Sequence, residues 1–133
     1  MQTVSQIKLT QIVLMLLRKT AEGSISWERV YEQQFIDACK REINAGDSLG
    51  SEVYRASYGQ QYLRVFYYRN QTSLQLGTRA IARDGYVYQL DVYNPKTLAP
   101  VSTINSSSAL FDLFNSIKNS ETSLNTLFSE LLK

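Results

Sequence analysis

Residues 53–69 read VYRASYGQQYLRVFYYR, and this stretch decides the fold. Side chains of an extended strand alternate between two faces. Tyr54, Ala56 and Tyr58 therefore share one face with Leu63, Val65 and Tyr67 across the Gly59-Gln60 turn. Eight of the nine tyrosines lie between Glu52 and Tyr93, in keeping with the strand preference of aromatic residues. Reading onward, the turn Asn70-Gln71 leads into a strand over Ser73–Arg83, which adds Leu74 and Leu76 to the apolar face. Asp84-Gly85 is a strong hairpin signal before Tyr86–Tyr93. Asn94-Pro95 ends that strand, and Pro100 confines a fifth, Val101–Ile104, to an edge. The expectation is an antiparallel meander of four to five strands.

Helices flank the meander. Residues 6–21 hold strong helix formers and stop at Gly23, which tolerates a left-handed cap. The run Ile12–Leu17 is apolar all round the helix, which predicts a second half surrounded by protein, in one core or in a subunit contact. From Ser26, a candidate N-cap, the residues Trp27, Tyr31, Phe35, Cys39 and Ile43 recur every four positions and predict helix two to about Asn44. Leu110, Leu113, Phe114 and Ile117 give one C-terminal stripe, and Leu124, Leu127, Phe128 and Leu131 another, capped by Ser108 and Ser120. The reading is a single α+β domain over 1–133: two N-terminal helices, the meander, and two C-terminal helices packing on one sheet face while the other face meets water.

Leu16–Glu28 reads LLRKTAEGSISWE. With the tyrosine-rich meander and leucine-rich C-terminus, it resembles small uncharacterised bacterial proteins that open with an LL-x-KT-x-EG-x-x-x-WE stretch. The helical pattern over Val30–Asn44 departs from the shortest of them. The resemblance implies a bacterial or mobile-element origin and carries over no catalytic residue.

The chain has 133 residues, 44% hydrophobic and 20% charged, with a net charge of +2, a balance typical of one globular domain. Its longest apolar run, Ile12–Leu17, is far short of the roughly twenty residues that span a bilayer and shorter than a signal peptide's apolar region, with only Lys8 as a basic residue before it and no small-residue cleavage site after Arg18 and Lys19. The expected address is the cytoplasm, without membrane contact. Histidine is absent and Cys39 is the lone cysteine. That excludes Ser-His-Asp and Cys-His catalysis, an internal disulfide and the usual zinc sites. Cys39 reads as a small buried hydrophobe on helix two. The six glycines form no nucleotide-binding cluster, so no cofactor is expected. Asp84, Asp91 and most glutamates read as solvated surface, with no calcium-loop spacing among them.

One feature rises above this background. Val53–Arg83 holds five arginines and no acidic residue. Strand alternation places Arg55, Tyr62, Arg64, Phe66, Tyr68, Arg79 and Arg83 on the face opposite the core. Arginine with aromatic rings is a composition enriched at protein interfaces. The expected function is a non-catalytic binding or regulatory protein of bacterial or mobile-element type that uses this face for a protein partner, with self-association as a second use of exposed apolar surface. Three other readings stay open. Arginine stems lying over tyrosine rings make an ordinary solvated sheet. Bases of single-stranded nucleic acid can stack on such rings, although phosphate binding usually shows as a strongly basic domain. A histidine-free ribonuclease would use Arg64, Tyr68, Arg79 and Arg83 around a phosphodiester.

Overall fold

The computed structural model describes residues 2–70, 85–105 and 108–132. Among them the chain forms α1 (Gln2–Ala21), β1 (Glu28–Arg29), α2 (Gln33–Lys40), β2 (Ser48–Tyr58), β3 (Gln61–Asn70), β4 (Gly85–Tyr93), β5 (Pro100–Asn105) and α3 (Ser108–Leu131). The strands make one antiparallel sheet in the order β1-β2-β3-β4-β5. Tyr58 pairs with Gln61, so Gly59-Gln60 is a two-residue hairpin. Gly59 supplies its positive φ of 64°, as a twist-matched turn with glycine first requires. The alternation expected from the sequence holds: Tyr54 pairs with Val65, Ala56 with Leu63 and Arg55 with Arg64.

The sheet is covered on both faces. On one, Tyr54, Ala56, Leu63, Val65 and Leu90 meet Val13 and Leu16 of α1 and Leu110, Leu113, Phe114 and Ile117 of α3. Phe114 sets its ring edge-on to Tyr54 and Tyr67 at centroid distances of 5.5 and 5.2 Å, a favoured aromatic geometry. On the other face, Val53, Phe66 and Tyr93 pack with Val30, Phe35 and Cys39. The valine and phenylalanine side chains among these, taken out of water, contribute about 1.5–3 kcal/mol each. That second core replaces the solvated face expected from the sequence.

Its cover arises from a segment that departs from helix two as expected. The chain after Ser26 is first a strand: Glu28 pairs with Arg55 and Arg29 with Tyr54, and helix begins only at Gln33. The four-residue recurrence is coincidental at its start, since Tyr31 is exposed and the Trp27 indole turns back to donate to Thr20 Oγ1 at 2.9 Å. Two further points concern order and continuity. β3 is bonded directly to β4, from Leu63↔Val92 to Asn70↔Gly85, and the expected Ser73–Arg83 strand falls outside the described residues. Leu74, Leu76 and Asp84 fall outside the described residues. The C-terminal helix is continuous from Ser108 to Leu131, because a serine inside a helix costs only about half a kcal/mol relative to alanine and does not oblige a break.

α1 ends where expected, with Gly23 at φ 81° and the Ser24 amide donating to the Lys19 carbonyl at 2.9 Å. Within a single chain, however, its second half is not surrounded, which leaves only the subunit contact to cover the rest. Val13, Leu16 and Thr20 are buried while Ile12, Leu14 and Met15 are exposed, so one stripe faces the core. No described helix is long and apolar enough to cross a membrane. β5 is an edge strand, as Pro100 requires.

Candidate binding cleft and the charge row beneath it

The strand registers line up one residue from every strand: Glu28 opposite Arg55, Arg55 opposite Arg64, Arg64 opposite Asp91, and Asp91 opposite Thr103. This row crosses the sheet on the α2 face. At its open end, Arg55 Nε donates to Glu28 Oε1 at 2.7 Å and Nη2 lies 3.2 Å from Glu32. The hydrogen bond to Glu28 is the main cause that raises the Arg55 pKa. Farther in, Arg64 and Asp91 are both fully buried. Arg64 Nε donates to Asp91 Oδ2 at 2.8 Å, Nη1 to the Leu98 carbonyl at 2.9 Å, and Nη2 to Glu42. Gln89 Nε2 donates to Glu42 Oε1 and Asp91 Oδ1 at 2.8 and 2.9 Å, and Thr103 Oγ1 to Asp91 Oδ1 at 2.9 Å. Charges held this deeply persist only when paired and hydrogen-bonded.

The turn after β4 is built to deliver the Leu98 carbonyl. Asn94 Oδ1 accepts from the amides of Lys96 and Thr97 at 2.8 and 3.2 Å, and the Leu98 amide donates to the Asn94 carbonyl at 2.7 Å. Leu98 itself has φ 64°, a conformation that costs a non-glycine residue about 1–2 kcal/mol. The strain sits where the carbonyl meets Arg64. Aromatic rings complete the setting: the Arg64 guanidinium lies over Phe35 at 5.5 Å and Tyr93 at 5.1 Å, and Arg55 over Phe35 at 5.6 Å.

Burial, foremost, and the neighbouring Asp91 push the Glu42 carboxyl up to about 8. Burial likewise pushes the Cys39 thiol up to about 12 and raises Tyr93. For Tyr68, burial and then Asp47 act in the same direction.

Above the Phe35 and Tyr93 rings opens a cleft of about 460 Å³, whose walls include Trp27, Phe35, Arg55, Tyr62, Tyr93 and Leu98. Tyr62 is exposed and its ring stands 6.1 Å from that of Tyr93. The cleft thus joins an apolar aromatic floor to one ion pair, Arg55 with Glu28, on its wall. Among the described residues no group of three or more histidine, cysteine or acidic side chains could hold a metal ion.

The structure sorts the seven expected contact residues. Arg55 and Tyr62 stand at the cleft. Arg64 and Phe66 have 0% exposure and are sealed by α2 and the chain after it, so the continuous solvent-facing patch expected from the sequence is closed at its centre. Tyr68 is half-buried against the second core. Arg79 and Arg83 fall outside the described residues. The ribonuclease arrangement loses Arg64, which is held by two carboxyl groups and a carbonyl away from solvent. Sequence reasoning missed Glu42, Asp91, Gln89, Phe35 and Trp27. For Asp91 a signal existed, because its position in β4 shares parity with Gln89 and Tyr93. For Glu42 none did, since its place follows from how the chain turns after α2. No protein-family model matches the chain, and no curated protein or solved structure is similar to it.

Proposed function

We propose that this is a non-catalytic binding protein that receives a segment of a protein partner in the cleft lined by Trp27, Phe35, Arg55, Tyr62 and Tyr93. The observation that carries the reading is the cleft itself: a concave aromatic site of about 460 Å³ fixed on a hydrogen-bonded sheet. Binding energy concentrates where aromatic and arginine side chains sit in preformed pockets. The pairing of Arg55 with Glu28 and Glu32 favours a protein over a nucleic acid, because a neutralised guanidinium releases few counterions from a phosphate chain. The N-terminal resemblance supports a bacterial setting for that contact.

Trp27 is the single tryptophan, so occupation of the cleft can be read from its fluorescence. Partners recovered by cross-linking from the source cell are purified and titrated against the protein. The expected result is a saturable change in Trp27 emission that Tyr62→Ala with Arg55→Ala weakens at least about tenfold, the loss of one hot-spot contact. Equal affinity of wild type and double variant removes the cleft from consideration. Tighter binding of single-stranded RNA than of any recovered protein, steeply weakened by salt, replaces the protein partner with nucleic acid.

A further inference from the structure

We propose that Glu42, Asp91 and Arg64 form a proton-held latch that fastens the chain after α2 to the sheet, and that losing the shared proton releases it. The latch is separate from whatever the cleft binds. Its charges share a closed space. Arg64 brings one positive charge, and Asp91 and Glu42 bring two carboxyls; Arg64 and Asp91 are fully buried and the Glu42 side chain is 10% exposed. With both carboxyls ionised the cluster holds a net negative charge out of water. One retained proton makes it neutral, and the neighbouring Asp91 carboxylate favours keeping that proton on Glu42.

The groups facing Glu42 come from each neighbouring element. β3 supplies Arg64, β4 supplies Asp91 and Gln89, and α2 supplies Cys39. Behind them, Thr103 of β5 binds Asp91 and the Tyr93 ring lies against Arg64. Only Arg64 is cationic in this set, and Asp91 already uses its Nε. The cluster is therefore short of positive charge once Glu42 ionises.

Glu42 is also the polar anchor of its segment. Between Lys40 and Ser48 only Glu42, Ile43 and Asp47 are withdrawn from solvent, whereas Arg41, Asn44, Ala45 and Gly46 are exposed. Opening this stretch lets Glu42 return to the ordinary carboxylate range while the closed form keeps its proton to about pH 8. The closed form therefore binds more protons between about pH 4.5 and 8, and opening grows with pH across that window and levels off above it.

Lys40 and Arg41 are exposed, which places trypsin sites beside the latch. Cleavage there is followed from pH 6 to 9 for wild type and Glu42→Gln, and their ratio at each pH cancels the protease's own profile. Glu42→Gln keeps a neutral hydrogen-bonding group and cannot ionise. The expected ratio rises with pH, approaching about tenfold per unit up to pH 8 at full coupling, then flattens. A ratio that stays constant from pH 6 to 8 overturns the proposal. Should Glu42→Gln not fold, carbon NMR of the glutamate carboxyls in the wild type decides: one carboxyl titrating near 8 supports the latch, and all titrating between 4 and 5 overturns it.

Discussion

Arg55 and Arg64 are direct cross-strand partners, two like charges side by side on one sheet face, and the ring of Phe35 receives both guanidiniums at 5.6 and 5.5 Å. Like charges opposite each other destabilise a sheet. Here each is drawn away from the other, Arg55 toward Glu28 and Glu32 and Arg64 toward Asp91 and Glu42. α2 contributes the π-face between them. Phe35→Leu keeps much of the apolar volume but removes that face. It should lower stability by about 1–2 kcal/mol in urea denaturation, since desolvated cation–π contacts contribute on this scale. In a double-mutant cycle with Arg55→Met, a coupling of about 0.5–1 kcal/mol is expected. Strict additivity would show that the ring acts through packing alone.

Arg64→Met should destabilise by about 3–5 kcal/mol, because it leaves the buried Asp91 without its counter-charge. Adding Asp91→Asn should recover part of that loss, as the pair is replaced by groups with less to desolvate. The check is the urea midpoint of the two single variants against the double variant. A double variant as unstable as the sum of both singles would mean that the two residues are not coupled.

Much of this fold was legible in the sequence because strand parity is a local property. The pattern around Tyr54, Ala56, Leu63 and Val65 fixes which side chains share a face, and Gly23, Gly59, Asn94 and Pro100 mark ends and turns through backbone restrictions that travel with the residue type. What was not legible depends on where a segment lands. Trp27 to Ile43 carries a helical recurrence, yet Glu28 and Arg29 are captured by the edge of β2, and α2 then closes over Arg64 and Phe66. The same parity that put Arg64 beside Phe66 cannot say whether water or α2 lies above them. Glu42 and Asp91 read as surface charges for the same reason, since only their meeting with Arg64 makes burial tolerable.

α1 offers a separate test of packing. Val13 and Leu16 have 0% and 5% exposure, whereas Ile12 and Met15 have 42% each. Leu16→Ala should cost about 2–5 kcal/mol as a buried truncation. Ile12→Lys should stay within about 0.5 kcal/mol of wild type, as an exposed substitution does. Thermal unfolding of a dilute sample distinguishes them. A large loss for Ile12→Lys would place that side chain inside an interface.

Gly50 has a steric role in β2. It lies in β2 where the register shifts between Leu49 and Val53, and a methyl group added to it would run into the ring of Tyr67. Tyr67 stacks with Tyr88 at 5.5 Å and meets Phe114 edge-on, so it has little room to give. Gly50→Ala should cost about 1–3 kcal/mol as an overpacking substitution. Tyr67→Leu in the same chain should relieve part of it, measured as non-additivity of the two changes.

Cys39 extends the pH argument to the alkaline side. Its thiol is fully buried, and burial raises it from 9.0 to about 12. Native protein should therefore react with iodoacetamide at pH 8 at least about a hundredfold more slowly than urea-unfolded protein, since only an opened molecule presents the thiolate. The linkage follows the same sign. A raised folded pKa means that the native state holds the proton longer, so the contribution to stability is complete below about pH 9 and is lost as pH rises toward 12. Cys39→Ala removes the titrating group and should flatten that alkaline slope. Rapid alkylation of native wild type at pH 8, or an alkaline slope unchanged in Cys39→Ala, would show that the thiol is not enclosed by Phe35, Phe66 and Tyr93.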